Sequence, residues 1–484
     1  MLIVVLSALL ALAAGSGRLL SRLLFAREQR SAFVALVAGV SALHLLTLTG
    51  LPLGVVLGIV LLLAVAELVI VVVAERDRLR IDRRRAAIMA VVLAVCLPLW
   101  TFFLVRPLWA YDARNTWFFH GRIIFSSGHF PMGEWAKLFC LPANKFSVCA
   151  HPDYPKFIGI VSASVAYLLG YWNEYLPKLA IVVVHVIELV GLVELGWWPL
   201  ALGLTGVMTV VPLYRYHFDS ASLDIHVGAL TLVALLALFR LLEARAPERE
   251  RTSPTSPSSA GAQFGVFALA ALALAAQLKY EGRAIALVLI TSALLLRAVR
   301  LADLWRWRSA LALFLPAVVW LVQVRLLHLP TYFESRGLVA VVRERLHAEY
   351  ATLIIPYLLQ QTPMVSGAVL FVGAAGVALW LRRRTVLARL PRDPRLRLAL
   401  LTALAYTLLL SLVYLLSPYP KVYDHLHSSV DRVTLTSQAA LIAAAVAAFT
   451  LGTAPPPAVA PGDGRPSEAN TSRVDCSRPG SNPG

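Results

Sequence analysis

Charge is scarce in this 484-residue chain. Asp, Glu, Lys and Arg together make up 15% of it, while hydrophobic residues make up 59%. An ordinary soluble domain carries about 25% charged and about 45–50% apolar residues, so the composition excludes that class. Lysine is rarer still, with six against 38 arginines. Cysteine is limited to Cys96, Cys140, Cys149 and Cys476. Two readings of Cys140 and Cys149 stay open: a local disulfide if their loop faces an oxidising compartment, or two free thiols. The two-residue alternation of barrel strands is missing. So are a phosphate-binding glycine loop, a dinucleotide fingerprint and a His-Glu-x-x-His metal motif, which speaks against a nucleotide-powered enzyme.

What fills the chain instead is a series of long apolar runs, such as LGVVLGIVLLLAVAELVIVVVA from Leu53 to Ala74. Runs of about 17–25 apolar residues cross a bilayer as helices, and in lipid only helices and closed barrels satisfy their backbone groups. The sequence therefore predicts an all-α, polytopic helical membrane protein. The net charge of +17 follows from arginines packed into short turns between spans. That is the positive-inside pattern rather than a nucleic-acid surface.

Arginine places Arg18–Arg30, 75–85, the linker 243–262, 297–308 and 382–397 on the cytoplasmic side. The loop 106–156, the turn 279–283, and 329–350 and 417–432 then fall outside. The first segment has its arginines after the apolar run, so it reads as a first span with an outer amino end and not as a signal peptide. Three apolar segments between 174 and 243 give one crossing too many, and the short stretch 199–213 is expected to be partly embedded. The total is roughly thirteen spans in one domain over residues 1–451. The Pro-, Ala-, Gly- and Ser-rich tail 452–484 reads as disordered and cytoplasmic. Five of the six lysines, all but Lys178, fall on the outer side, where a compact ammonium suits a phosphate.

Four outward clusters stand out. The first is Tyr111, Asp112 and Arg114 with Trp117 and His120, opening the long loop. The second is HPDYPKF, carrying His151, Asp153, Tyr154 and Lys156. The third is QLKYEGR, with Lys279, Glu281 and Arg283. The fourth is YDHLHSSVDR, with His425, His427 and Arg432. Ionisable groups at membrane depth cost about 2.5–3.5 kcal/mol each at a helix centre, and they line polar cavities. Four clusters on one face thus point to one outer-leaflet site. Each cluster also has a plain structural reading. Asp112 and Arg114 would form an interfacial ion pair, the prolines beside His151 a helix-entry turn, Lys279 to Arg283 snorkelling charges, and His425 and His427 a helix start. From Phe118 on, the loop reads as an amphipathic interfacial helix with Phe118, Phe119, Ile123 and Ile124 toward lipid.

With these motifs the chain, over about residues 85–451, resembles the GT-C superfamily of polytopic glycosyltransferases that use lipid-linked sugars. It is most similar to bacterial relatives of the protein O-mannosyltransferase and aminoarabinose transferase branch. HPDYPKF stands where those enzymes carry a Lys-Pro-Pro-Leu type motif, and HLHSSVDR is similar to a His-Leu-x-x-Ser-x-x-Arg element. The resemblance implies a bacterial inner-membrane enzyme with its site on the extracytoplasmic face. It implies a polyprenyl-phosphate sugar donor and a protein, lipid or glycan acceptor. Asp112 would be the catalytic base, and Lys279, Arg283, Lys156 and His151 would bind the donor phosphate. Tyr111, Arg114, Asp153, Tyr154, Asp224, Glu281, His425 and Arg432 would support substrate. The loop has one acid where an acidic pair would be expected, which speaks against a metal-bridged mechanism. A divalent metal on His120, His151, Asp153, Asp424, His425 or His427 stays an alternative, and no other cofactor is called for.

The chemistry agrees with that set. A polyprenyl phosphate leaves readily once cations neutralise its charge, and a positioned carboxylate acting as base on an acceptor hydroxyl contributes roughly 10²–10⁴ in rate. A single displacement inverts the anomeric carbon. The rival classes are a secondary transporter, which would carry its charges at midplane with internal repeats, and a non-catalytic envelope assembly protein.

Overall fold

The computed structural model describes residues 2–25, 31–75, 82–110, 112–132, 152–250, 259–329, 348–415 and 422–453. Every regular element among them is helical. Ten of these helices are long and apolar enough to cross a membrane, and three more, Ala32–Leu48, Phe157–Leu169 and Trp198–Val210, are apolar but shorter. The protein is an all-α, multi-pass membrane protein.

The first four helices, α1 (Leu2–Phe25), α2 (Ala32–Leu48), α3 (Leu53–Ala74) and α4 (Arg83–Val105), run back and forth. The end where α4 finishes is here the near end, and the end where α1 finishes is the far end. Charge at the far end ties helix tips together: Arg22 holds Glu67 at 2.7 Å and Glu75 at 2.8 Å. Helices α1 and α2 approach through small residues, since a Cβ on Gly39 would stand 1.9 Å from the Ala13 carbonyl oxygen. Close backbone approach of this kind is how helices associate in lipid, where no hydrophobic force draws them together.

At the near end a single π turn, Ala113–Trp117, leads into α5 (Phe118–Ser127). The expected lipid-facing helix holds only in part, since Phe119 and Ile123 stay partly exposed. Phe118 and Ile124 are buried, and α5 packs on α6 (Phe157–Leu169) with Gly121 against the Gly159 carbonyl. The two glycines at this crossing remove the side chains that would hold the helices apart, so Phe118 and Ile124 are buried against α6.

The expected crossing pattern between 157 and 243 also changes. Both ends of α6 lie at the near end: Lys156 meets His120 on α5, and Tyr167 lies against Gly54 at the start of α3. At 13 residues α6 is about 20 Å long, and it finishes at the same end of the bundle at which it begins. The next helix, α7 (Leu179–Glu194), begins beside Lys178, whose ammonium donates to the Phe103 and Arg106 carbonyls. It ends with Glu194 accepting from Ser31 and the Ala32 amide at the far end. Helices α8 (Trp198–Val210) and α9 (Pro212–Asp219) return to the near end, where Asp219 pairs with Arg106 at 3.0 Å. Residues 199–213 thus run from the far end toward the near end, while α6 keeps both ends at the near end. Lys178 joins the other described lysines, Lys156 and Lys279, at the near end.

Helices α10 (Leu223–Glu250) and α11 (Ser259–Leu278) form a hairpin through the centre, and α12 (Tyr280–Leu295) turns back from it. The short α13 (Leu301–Arg306) and a 3₁₀ turn, Arg308–Phe314, lead into α14 (Leu315–Leu326). The remainder is α15 (Ala348–Leu359), α16 (Thr362–Arg389), α17 (Pro394–Leu415) and α18 (Val422–Thr453). Burial separates the layers. The apolar window of α7 is 94% buried and that of α16 only 17%, so α7, α10 and α11 are enclosed by protein while α16 presents residues such as Trp380 outward. The site described next hangs from the enclosed helices.

Candidate functional site

Helix α10 starts with Asp224 in its first turn, and α11 ends where Lys279 breaks into extended backbone before α12. A Cβ on Gly282 would stand 1.8 Å from the Ala275 carbonyl oxygen. Glycine therefore lets α12 start tightly against α11 and fixes where Lys279 points. Its ammonium lies 2.8 and 2.9 Å from the two Asp224 carboxylate oxygens and 3.3 Å from Glu281. Ser222 donates to the same carboxylate at 3.2 Å. Burial alone would push the Lys279 pKa down, but Asp224 and Glu281 hold it above its usual value.

Asp112, one residue before the π turn, accepts from the Arg432 guanidinium on α18, 320 residues away in sequence. The neighbouring Asp431 lies 3.5 Å from His217, whose side chain is wholly buried at the end of α9. Three acids, Asp112, Asp224 and Glu281, thus meet two cations, Lys279 and Arg432, with His217 and Asp431 paired beside them. Arg114, expected to support the site, is exposed and takes no part in this network among the described residues.

A second polar region adjoins the first. The Asp153 carbonyl accepts from Tyr280 and from the Trp320 indole, each at 2.7 Å, and its carboxylate accepts from Tyr280 at 3.1 Å. Lys156, fully buried, donates to the Pro152 carbonyl at 2.7 Å, lies 3.2 Å from His120 Nδ1, and sits 4.7 Å over the Trp320 ring. Arg283 donates through Nε to the Ala276 carbonyl at 3.2 Å and stacks 4.9 Å from the Tyr280 ring. Its two terminal nitrogens are buried with no hydrogen-bond partner among the described residues.

Tyr154 joins the two regions, with its ring 5.3 Å from Trp117 and 5.4 Å from Tyr280. Burial is the main reason its phenol stays protonated well above the usual range, helped by Glu281, Asp153, Asp112 and Asp224. The ring contacts of Tyr154 with Trp117 and Tyr280 join the two regions into one site. Of the expected residues, the fold brings together Asp112, Asp153, Tyr154, Lys156, Asp224, Lys279, Glu281, Arg283 and Arg432. Tyr111 and His151 lie outside the described residues, as do Cys140, Cys149 and the side chains of Asp424, His425 and His427. Among the described residues, no three His, Cys, Asp or Glu side chains stand together as metal ligands.

Sequence reasoning missed His217, Asp431 and Trp320. His217 sits beside Asp219 in a run with no motif. Trp320 lies in an apolar segment that reads only as a span.

No protein-family model, curated protein or solved structure matches the chain. The site's geometry therefore carries the functional reading.

A third polar group lies deeper in the bundle. Trp100 donates to His185 at 3.0 Å, and His226 on α10 lies 2.9 Å from Glu188 on α7. Glu188 Oε2 and His226 Nε2 are buried without a partner among the described residues.

Proposed function

We propose that the protein is a membrane glycosyltransferase moving a sugar from a polyprenyl-phosphate donor to an acceptor hydroxyl, with inversion. In this reading the membrane is a bacterial inner membrane and the near end faces outward. The observation that carries it is the convergence of four sequence-distant motifs on one partly buried, charged site beside the buried terminal nitrogens of Arg283. Charges at this depth are expensive, and a buried guanidinium with two free donors is built for an anion, since arginine takes phosphate through paired hydrogen bonds.

The phosphate ligands differ from the sequence expectation. Lys279 is committed to Asp224 and Glu281, and Lys156 to Pro152 and His120, so Arg283 supplies the standing anion contact. Arg432 supplies a second one. Its Nε is buried without a partner among the described residues, and a phosphate drawing its guanidinium away would release the Asp112 carboxylate. Asp112 then takes the proton of the acceptor hydroxyl as its oxygen attacks the anomeric carbon. The bond to the donor phosphate breaks, and the departing negative charge is held by the two arginines. Lys279 keeps Asp224 in place instead of touching substrate.

The Glu188–His226 pair favours a second reading, a secondary transporter, because intramembrane ionisable pairs mark ion pathways. One experiment separates the two: radiolabelled polyprenyl-phosphate sugars are supplied to membranes containing the protein. Label moving from lipid to an acceptor supports transfer. Label unmoved from every donor, with flux of a solute dependent on Glu188, supports transport.

A further inference from the structure

The far end of α12 carries a feature that sugar transfer does not use. The turn from α12 to α13 folds around a cavity of about 650 Å³ lined by Leu294, Arg297, Val299, Arg300 and Leu301. Arg297 occupies the left-handed region, φ 54°. The Ala298 and Val299 amides close back on the Ala293 carbonyl at 2.9 and 3.1 Å. Helix ends of this geometry favour glycine, yet an arginine occupies the position.

The turn's acid does not neutralise its cations. Asp303 accepts from the Arg300 amide at 2.8 Å and pairs with Arg245 at 2.9 Å. The Arg297 and Arg300 guanidinium groups make no ion pair among the described residues. Around them Leu295, Leu301 and Trp305 are 72%, 75% and 70% exposed, and Arg308 lies over the Trp305 ring. Tryptophan beside arginine at a helix end belongs at the headgroup level of a bilayer.

We propose that this turn binds an anionic phospholipid of the leaflet at the far end. Arg297 and Arg300 take its phosphate, and Leu294, Leu295 and Leu301 lie along its acyl chains. Charge complementarity carries the assignment: two unpaired guanidinium groups beside an apolar, outward-facing wall match a phosphate joined to a hydrocarbon chain. The inference does not depend on the glycosyltransferase reading.

The test uses the full chain reconstituted in vesicles of phosphatidylcholine mixed with phosphatidylglycerol, then examined by native mass spectrometry for retained lipid. Phosphatidylglycerol is expected to be retained over phosphatidylcholine. Arg297→Gln and Arg300→Gln should each lower that preference about five-fold. Arg297→Gly should lower it equally while relieving the left-handed backbone, which separates lost binding from lost folding. Excess inorganic phosphate should leave the lipid in place. Equal retention of both lipids, a preference unchanged in Arg297→Gly or in either glutamine variant, or displacement by inorganic phosphate would each overturn the proposal.

Discussion

The two polar regions of the site solve the same problem in opposite ways. Around Lys279 and Arg432, cations and carboxylates from different helices neutralise one another side chain to side chain. Around Lys156 and Arg283, the cations rest on backbone carbonyls and aromatic faces, and two guanidinium nitrogens are left without a partner among the described residues. The first region is closed on itself and has to be opened before it acts. The second stands ready for an anion. Tyr154 packs between them, so binding on one side is positioned to be felt on the other.

Breaking the closed region has the largest expected effect on folding. Lys279→Met strands the buried Asp224 carboxylate and should destabilise the protein by about 3–5 kcal/mol, read as a lower unfolding temperature in detergent. Adding Asp224→Leu should restore most of that loss; an unaltered unfolding temperature in the single variant would show that the pair does not hold the site. In the open region the contrast reverses. Arg283→Gln should leave the unfolding temperature no lower but weaken donor binding by roughly ten-fold or more, as expected for a lost charge-assisted hydrogen bond. Equal donor affinity would remove Arg283 from the phosphate site. Tyr280→Phe loses the hydroxyl that holds Asp153 and should cost about 1 kcal/mol, measured by the same unfolding assay. Arg114→Gln, on an exposed side chain, should change stability by less than about 0.5 kcal/mol and leave transfer intact.

The fold class was legible because apolar runs of spanning length and arginine-rich turns are local signals. Asp112, Lys279 and Arg432 were legible too, since each is a charge at the rim of an apolar run, where only a polar cavity or an interface tolerates it. Their pairing was not legible. Asp112 has Arg114 two residues away, yet its partner is Arg432, 320 residues further on, and nothing local announces a contact that only the packing of α18 against the π turn creates. The placement of α6 was not legible for a related reason. Helix α6 is as apolar as a span, but the Gly121–Gly159 contact lays it against α5, a packing choice invisible to hydropathy. His217 escaped notice because a lone histidine in an aromatic run gives no spacing to read.

The most direct test of the central claim compares the wild-type protein with Asp112→Asn in the radiolabelled donor assay, with unfolding temperature measured in parallel. The substitution keeps the shape of the side chain and removes its ability to take a proton. The account predicts that transfer falls by roughly 10²–10⁴ while the unfolding temperature stays near that of the wild type. Transfer at the wild-type rate by a folded Asp112→Asn protein would contradict it.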